Sequence, residues 1–580
     1  IMLHRFIARR LRDAIAPILP DADLSSVEVR PCRDPRHGDY QSSAVIGLAK
    51  ARRLNPRQLA ADLVRSLDVS EWCEPVEIAG DGFLNFRIRT EALDAVLQRA
   101  VQGEHLFFER ASQPRTIVVD YSSPNVAKPM HVGHIRSTIL GDCLVRTLRL
   151  LGHRVIADNH IGDWGTQFGK LLLGWKRDLD RDALERDAVG EMERLYRAIN
   201  AQCDANPDTL AAAREELVRL QNGDPENLAL WQDMNARSQH QFDSIYARLG
   251  IRFDTTLGES FYNPRLKAVV EELEQAGVAR ESEGAKVVFF EDDAELQKHP
   301  AIVQKSDGAA NYATTDLATL AYRIETWNPD EIVYVTDARQ QLHFRQIFAI
   351  LRRWRPQARV KLAHVWFGSI LGPDGKPFKT RSGDTVKLAD LLDEAEERAL
   401  RLVTSKNPAL PETERREIAR VVGLGALKYA DLLPNRQSDY VFDWDKMLAL
   451  TGHTAPYLQY AYTRIRSIFR KQAEDASDEA GWPGRARACF VLGQEEEVRL
   501  AKHLLTFGIV LEAVAGDYRP NYLCNYLYEL AGRFTAFYEC CPVLKADEPH
   551  RSSRLALCDL TAKALRQGLA VLGIETCERM

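Results

Sequence analysis

Apolar residues near the N-terminus, Leu3, Phe6, Ile7, Leu11, Ala14, Ile15 and Ile18, recur at i, i+3, i+4 spacing. That period predicts the buried face of a surface helix. Arg5, Arg9, Arg10 and Arg12 alternate with apolar residues in the same stretch, a feature of mitochondrial presequences; the helical spacing is the preferred reading. Residues 1 to about 88 add a second helical pattern and short β-like runs such as VEIAGDGFLNFRI, predicting a small α+β domain. A helix near 90–102 and a loop containing Pro114 follow.

The run TIVVDY is short, apolar and β-branched, as a buried parallel strand is, and SSPN forms its turn. HVGHIRSTILGDCLVRTLRLLG has apolar residues at helical spacing and a glycine stop at Gly152, and RVIADNHIGD reads as the next strand and loop. Strand–turn–helix–strand is the unit of a doubly wound α/β sheet. Residues from about 170 to 250 are mostly charged helix and predict an insertion into that sheet domain. Strand candidates return at AKVVFF, EIVYVTD and KLAHVWFG. From about residue 388 nearly everything reads as amphipathic helix, with a loop near 474–484.

The chain of 580 residues is long enough for three or four domains at roughly 100–200 residues each. Its formal net charge of −5 excludes a chain that holds nucleic acid by bulk charge alone; an RNA partner would need local basic surfaces and shape. The ten cysteines show no C-x-x-C spacing, so reduced thiols in a cytoplasmic protein are expected. No apolar run reaches the roughly 18 residues that span a membrane.

The candidate chemistry centres on His131-Val132-Gly133-His134, directly after a strand and its turn. Ligands of open parallel sheets bind beyond the carboxyl ends of the strands, and the helix that follows presents free N–H groups to phosphate. Gly133 lets a flat base or ribose approach the backbone, and the histidines offer donors to a phosphate that gains charge. A metal pair would need a third ligand at an informative spacing, and none accompanies it, so no tightly bound metal is expected.

VDYSSPNVAKPMHVGHIRSTILGD resembles the signature of class I aminoacyl-tRNA synthetases, specifically the arginyl-tRNA synthetases, and NHIGDWGTQFG resembles a second block of that family. The resemblance extends through GESFY, YATTDLATL, DARQQLHFRQ and GLAVLGIETCERM, essentially the whole chain. It implies a class I Rossmann-type parallel-sheet catalytic domain, with an N-terminal α+β appendage and a C-terminal all-α bundle. The expected divisions are an N-terminal domain and linker at 1–110, a catalytic domain at 111–395 and a helical connector at 396–450. An anticodon-binding domain is expected at 451–580. The implied substrates are L-arginine, ATP with Mg2+ and tRNA(Arg), handled by a monomer.

A guanidinium is a planar fork of donors, and a selective pocket should meet it with carboxylates and a further acceptor. The blocks supply Glu259, Tyr312 and Asp316, the last two four apart and on one face of a helix. The resemblance places these on the arginine side chain, Ser123, Asn125 and Gln340 near the α-amino group, and Asp120 in support. Taken singly, each would be an ordinary structural or solvated polar residue. The family's late K-M-S-K-S loop corresponds here to Lys379-Thr380-Arg381-Ser382-Gly383, without the second lysine. Many arginine-specific members depart in this way and carry a lysine before H-x-G-H, the position of Lys128. Lys128, Lys379 and Arg381 are therefore all candidates for the ATP phosphates, beside His131, Gly133 and His134.

PYLQYAYTRIRSIFRK and NYLCNYLYELAGRFTAFYE are tyrosine-dense helical stretches suited to stacking splayed bases, although most such tyrosines serve a core. The resemblance singles out Tyr457, Tyr460, Tyr538 and Met580 for the anticodon, and Asn85 for the tRNA elbow. A small-molecule nucleotidyltransferase shares the H-x-G-H sheet but lacks a long helical tail. A non-catalytic paralogue would be expected to lose the histidines or the carboxylates.

Overall fold

The computed structural model describes residues 2–32, 34–380, 384–475 and 490–580. The N-terminal unit carries a four-stranded antiparallel sheet in the order Arg30–Pro31, Tyr40–Ser42, Phe83–Phe86, Glu77–Ala79. Its first helix, Leu3–Ile18, buries Leu3, Ile7, Ala8, Leu11, Ala14 and Ile15. Ile18 is exposed because the helix ends there, one residue after Pro17.

The central sheet has five parallel strands: β1 (Thr116–Asp120), β2 (Arg154–Asn159), β3 (Thr255–Thr256), β4 (Glu331–Tyr334) and β5 (Lys361–His364). Their order is β5-β4-β1-β2-β3. The chain runs outward from β1 through β2 to β3, then returns to the other side of β1 at β4. The strand order reverses between β1 and β4, which is where open α/β sheets bind ligands. Asp120 stands level with Asp158 on one side and Tyr334 on the other. Both faces are covered. Ile117 and Val119 enter the large core shared with the helical domains, whereas Val118 enters a second core.

The helices that carry the site are α1 (Val132–Leu150), α2 (Glu259–Gln275), α3 (Tyr312–Trp327) and α4 (Gln341–Trp354). α1 crosses from β1 to β2 and ends where Gly152 takes the left-handed φ of +87°. Five helices between Gln167 and Leu249 form the expected insertion, between β2 and β3. AKVVFF contains a strand, Ala285–Val288, but it belongs to a separate three-stranded antiparallel sheet. A period of two reports a strand and not its partner.

Beyond residue 388 the chain is mainly helical, including α5 (Glu412–Leu432) and α6 (Ala455–Asp475). One exception is Tyr440–Val441, which pairs in parallel with Ile370–Leu371. Most of the loop expected near 474–484 lies outside the described residues. No helix among the described residues is long and apolar enough to cross a membrane.

Candidate active site

His131 caps α1, and its Nδ1 accepts the Gly133 backbone N–H at 3.0 Å. His134, one turn on, accepts the His131 N–H on its own Nδ1 at 3.1 Å. The rings lie 4.0 Å apart. Burial and the charge of Lys128 hold His131 below the ordinary imidazole range; burial, then His131, push His134 down to about 3. Both rings are thus neutral, and with Nδ1 accepting, the proton must sit on Nε2. The motif therefore presents two Nε2–H donors at the positive end of a helix. A Cβ on Gly133 would come 2.8 Å from the His131 ring, so the glycine makes room for the imidazole that caps it.

Beneath the motif, Arg323 of α3 is wholly buried. Its Nη2 bonds Asp120 Oδ2 at 2.6 Å and its Nε bonds Asp158 Oδ2 at 3.0 Å. One guanidinium thus ties the carboxyl ends of β1 and β2. Asp120 Oδ1 accepts the Ser123 hydroxyl at 3.1 Å, and Ser123 N–H donates to Asn159 Oδ1 at 3.0 Å. Asp120 is thereby committed to bonds within the protein. Ser122, Ser123 and Ala127 take left-handed φ values of 73°, 48° and 60°. Such backbone costs roughly 1 kcal/mol or more per residue and persists only where neighbours impose it. Here Ser122 is held by Ser137, Thr138 and Tyr246. Asn125 forms a bridge with Gly162, whose missing Cβ would fall 2.1 Å from Asn125 Oδ1.

Three further carboxylates are those of Glu259, Asp163 and Asp316. Glu259 opens α2, its N–H bonded to Ile161 O at 3.1 Å. Its carboxyl is pushed up to about 7, first by burial and then by the charges of Asp316 and Asp163. Asp163 is held against the α2 terminus by Ser260, whose N–H donates at 2.8 Å. Asp316 of α3 bonds the His343 ring of α4. Tyr312, one turn before Asp316, is 76% exposed, and Gln340 lies exposed just ahead of α4.

The segment before Leu388 is rooted beside His131. Lys128 is exposed, with Nζ 5.4 Å from the Tyr196 ring of the insertion. Residues 130–132 are zipped to 386–388: Val132 N–H donates to Val386 O and Leu388 N–H to Met130 O, both at 2.9 Å. A bridge joins His131 to Lys387 and another joins Lys379 to Thr385. The loop carrying exposed Lys379 is therefore rooted beside the histidines; Arg381 lies outside the described residues. Arg323 and His343 were missed from sequence. Arg323 follows Asp316 by seven residues, two helical turns on the same face, a signal that was there to be read.

Residues 95–444 match the family model described as tRNA synthetases class I (R), catalytic domain. Residues 5–88 match the arginyl tRNA synthetase N terminal domain, and residues 458–580 the DALR anticodon binding domain. An arginine–tRNA ligase of Cyanothece sp. is 49% identical over 557 residues, 94% of each chain. The chain belongs to the arginyl-tRNA synthetase family. Among solved structures, the Thermus thermophilus arginyl-tRNA synthetase superposes with a TM-score of 0.84 at 27% identity, covering 100% of both chains. The Plasmodium falciparum enzyme gives 0.84 at 28%, covering 100% of this chain and 99% of its own.

In this synthetase the tyrosines singled out for RNA differ in setting. Tyr460 is 47% exposed on α6. Tyr457 is half-buried against Tyr528, with ring centres 5.6 Å apart. Tyr538 is half-buried under Arg464, 4.7 Å from its ring. Met580 packs on a small core of Ala399, Val403, Ile418, Ala419 and Val422. The tail before it is clamped to α6 by bonds from Gln459 to Glu575 O, Thr463 to Cys577 O and Arg470 to Glu578 O. Asn85, expected at an RNA surface, is 4% exposed, and its Oδ1 accepts from Gln41 at 2.9 Å.

Proposed function

We propose that this arginine–tRNA ligase assembles arginyl-adenylate across the gap between β1 and β4. The carboxylate of L-arginine attacks the α-phosphate of Mg-ATP in line and pyrophosphate leaves; the terminal ribose hydroxyl of tRNA(Arg) then takes the arginyl group. The observation that carries this reading is the pair of neutral imidazoles whose Nδ1 atoms both accept backbone N–H, leaving two Nε2–H donors beside the rooted Lys379 loop. Donors fixed before the reaction stabilise charge that develops on the phosphate without reorganising.

His131, Gly133 and His134 hold ATP, and Lys128, Lys379 and Arg381 share the phosphate charge. Glu259, Asp316 and Tyr312 receive the guanidinium. Ser123, Asn125 and Gln340 take the α-amino end, with Asp120 orienting Ser123. No protein general base is required, since the attacking carboxylate is already ionised, and rate enhancement rests on positioning. Tyr457, Tyr460, Tyr538 and Met580 line the anticodon side. Asn85 serves the elbow side indirectly, by holding Gln41. All of these groups lie on one chain, so a monomer suffices.

The test is arginine-dependent ATP–pyrophosphate exchange on the purified protein, with and without tRNA(Arg). Exchange that requires arginine supports the reading, and exchange seen only with tRNA adds that the site is completed by RNA. A folded protein that exchanges under neither condition refutes it.

A further inference from the structure

We propose that His343 is a positioning residue for arginine selection, fixing the Asp316 carboxylate so that its free oxygen faces the guanidinium. The inference rests on the assignment of Asp316 to that group. His343 comes from α4 and Asp316 from α3, and the bond from Nε2 to Oδ2 crosses between the two helices. The side chains are 27% and 24% exposed, so the contact is not sealed in the core.

The ring is held from behind. His343 meets Phe344 edge-on at 5.3 Å, and Phe344 packs on Tyr334 at 4.7 Å and on His364 at 4.6 Å. His364 is in turn bonded to the Thr336 hydroxyl at 2.7 Å. The wall behind His343 is therefore built on the ends of β4 and β5, the rigid floor of the site.

Orientation matters because a carboxylate has two edges and rotates about its last bond. An imidazole N–H donating to Oδ2 removes that freedom. The Asp316 charge helps to push the Glu259 carboxyl up, after burial. A carboxylate of fixed direction matches the planar donor fork of a guanidinium better than the point charge of an ammonium. A freely turning Asp316 would attract both alike.

The experiment is pyrophosphate exchange with His343→Leu, His343→Gln, Asp316→Asn and the His343→Leu/Asp316→Asn double variant. His343→Leu is expected to raise the KM for arginine about tenfold, the size of one hydrogen bond to a charged group, with the KM for ATP unchanged. His343→Gln, which keeps a donor, should recover most of that loss. In the Asp316→Asn background, His343→Leu should add little. An unchanged arginine KM in His343→Leu, beside a large rise in Asp316→Asn, overturns the role of His343 while leaving the pocket intact. An unchanged arginine KM in Asp316→Asn overturns the pocket assignment itself. If His343→Leu impairs arginine and ATP equally, or His343→Gln is no better than His343→Leu, the residue is merely structural and the proposal fails.

Discussion

Arg136 Nε lies 3.1 Å from Asp431 Oδ1, with the two side chains 3% and 2% exposed. The atoms are in ion contact without the alignment of a hydrogen bond. Arg136 stands two residues after His134, and Asp431 is on α5, at the start of the helical half. The same guanidinium donates to Gly368 O at 2.8 Å and Ser438 O at 3.1 Å, and lies over the Tyr440 ring at 5.1 Å. Gly368 precedes the short strand Ile370–Leu371, from which the Lys379 loop departs. One buried cation thus joins the histidine helix, the root of the Lys379 loop and α5.

Breaking such a pair on one side leaves a buried charge without its partner, at a cost of about 3–5 kcal/mol. Asp431→Ala is expected to lower the urea midpoint strongly. Replacing both partners by apolar residues, Arg136→Met with Asp431→Leu, should restore much of the loss. An Asp431→Ala midpoint equal to that of the parent would show that the pair does not hold α1 to α5.

The part of the site near His131 was legible because it is local: an apolar strand, a turn and a helical period within 40 residues. What escaped is long-range. Arg323 and Asp120 are 203 residues apart, and no periodicity connects them. Strands of two residues, Ile370–Leu371 and Tyr440–Val441, are too short to leave a pattern. Asn85 reads as a polar interruption of a strand, yet both faces of that strand are covered and the side chain is buried with Gln41. Burial depends on what packs from elsewhere, which the order of residues in one segment does not report.

Gly133→Ala should act on chemistry more than on folding. The added Cβ would sit 2.8 Å from His131 Cε1 and 2.9 Å from Nδ1, which displaces the imidazole and releases the Gly133 N–H. Loss of an N-cap bond costs about 1 kcal/mol of stability. Misplacing a phosphate donor costs on the order of 100-fold in rate. Pyrophosphate exchange should therefore fall by about two orders of magnitude while the melting temperature moves by a few degrees. A collapse of both together would place His131 among structural residues.

Acid should destabilise the protein before its carboxylates are protonated. Burial is the main cause that pushes His134 down to about 3 and His364 and His503 to about 4. Unfolded, each takes a proton near 6.5. Between these values the unfolded chain binds more protons than the folded one, so stability is full above 6.5 and declines as pH falls through that window. Each group contributes a slope of about 1.4 kcal/mol per pH unit. Urea midpoints measured from pH 7.5 to 5.0 should fall, and His503→Gln should flatten the decline by one proton's worth. A flat profile would show that these rings are not buried neutral.

Glu259 titrates in the opposite sense. Its folded-state value, raised to about 7 by burial and by Asp316 and Asp163, lies above the ordinary 4.5. The folded, ligand-free protein therefore holds a proton there that the unfolded chain has lost, and this contribution to stability disappears as pH rises from 4.5 through 7. Above pH 7 the free enzyme carries mutually repelling carboxylates, which a guanidinium relieves. Arginine binding should accordingly release a proton near pH 6.5, detected by calorimetry in buffers of different ionisation enthalpy, and affinity should weaken as pH falls below 7. Glu259→Gln removes the repulsion. Above pH 7 it should melt higher than the parent without ligand, yet lose arginine binding and its proton release. A variant that binds arginine normally would remove Glu259 from the pocket.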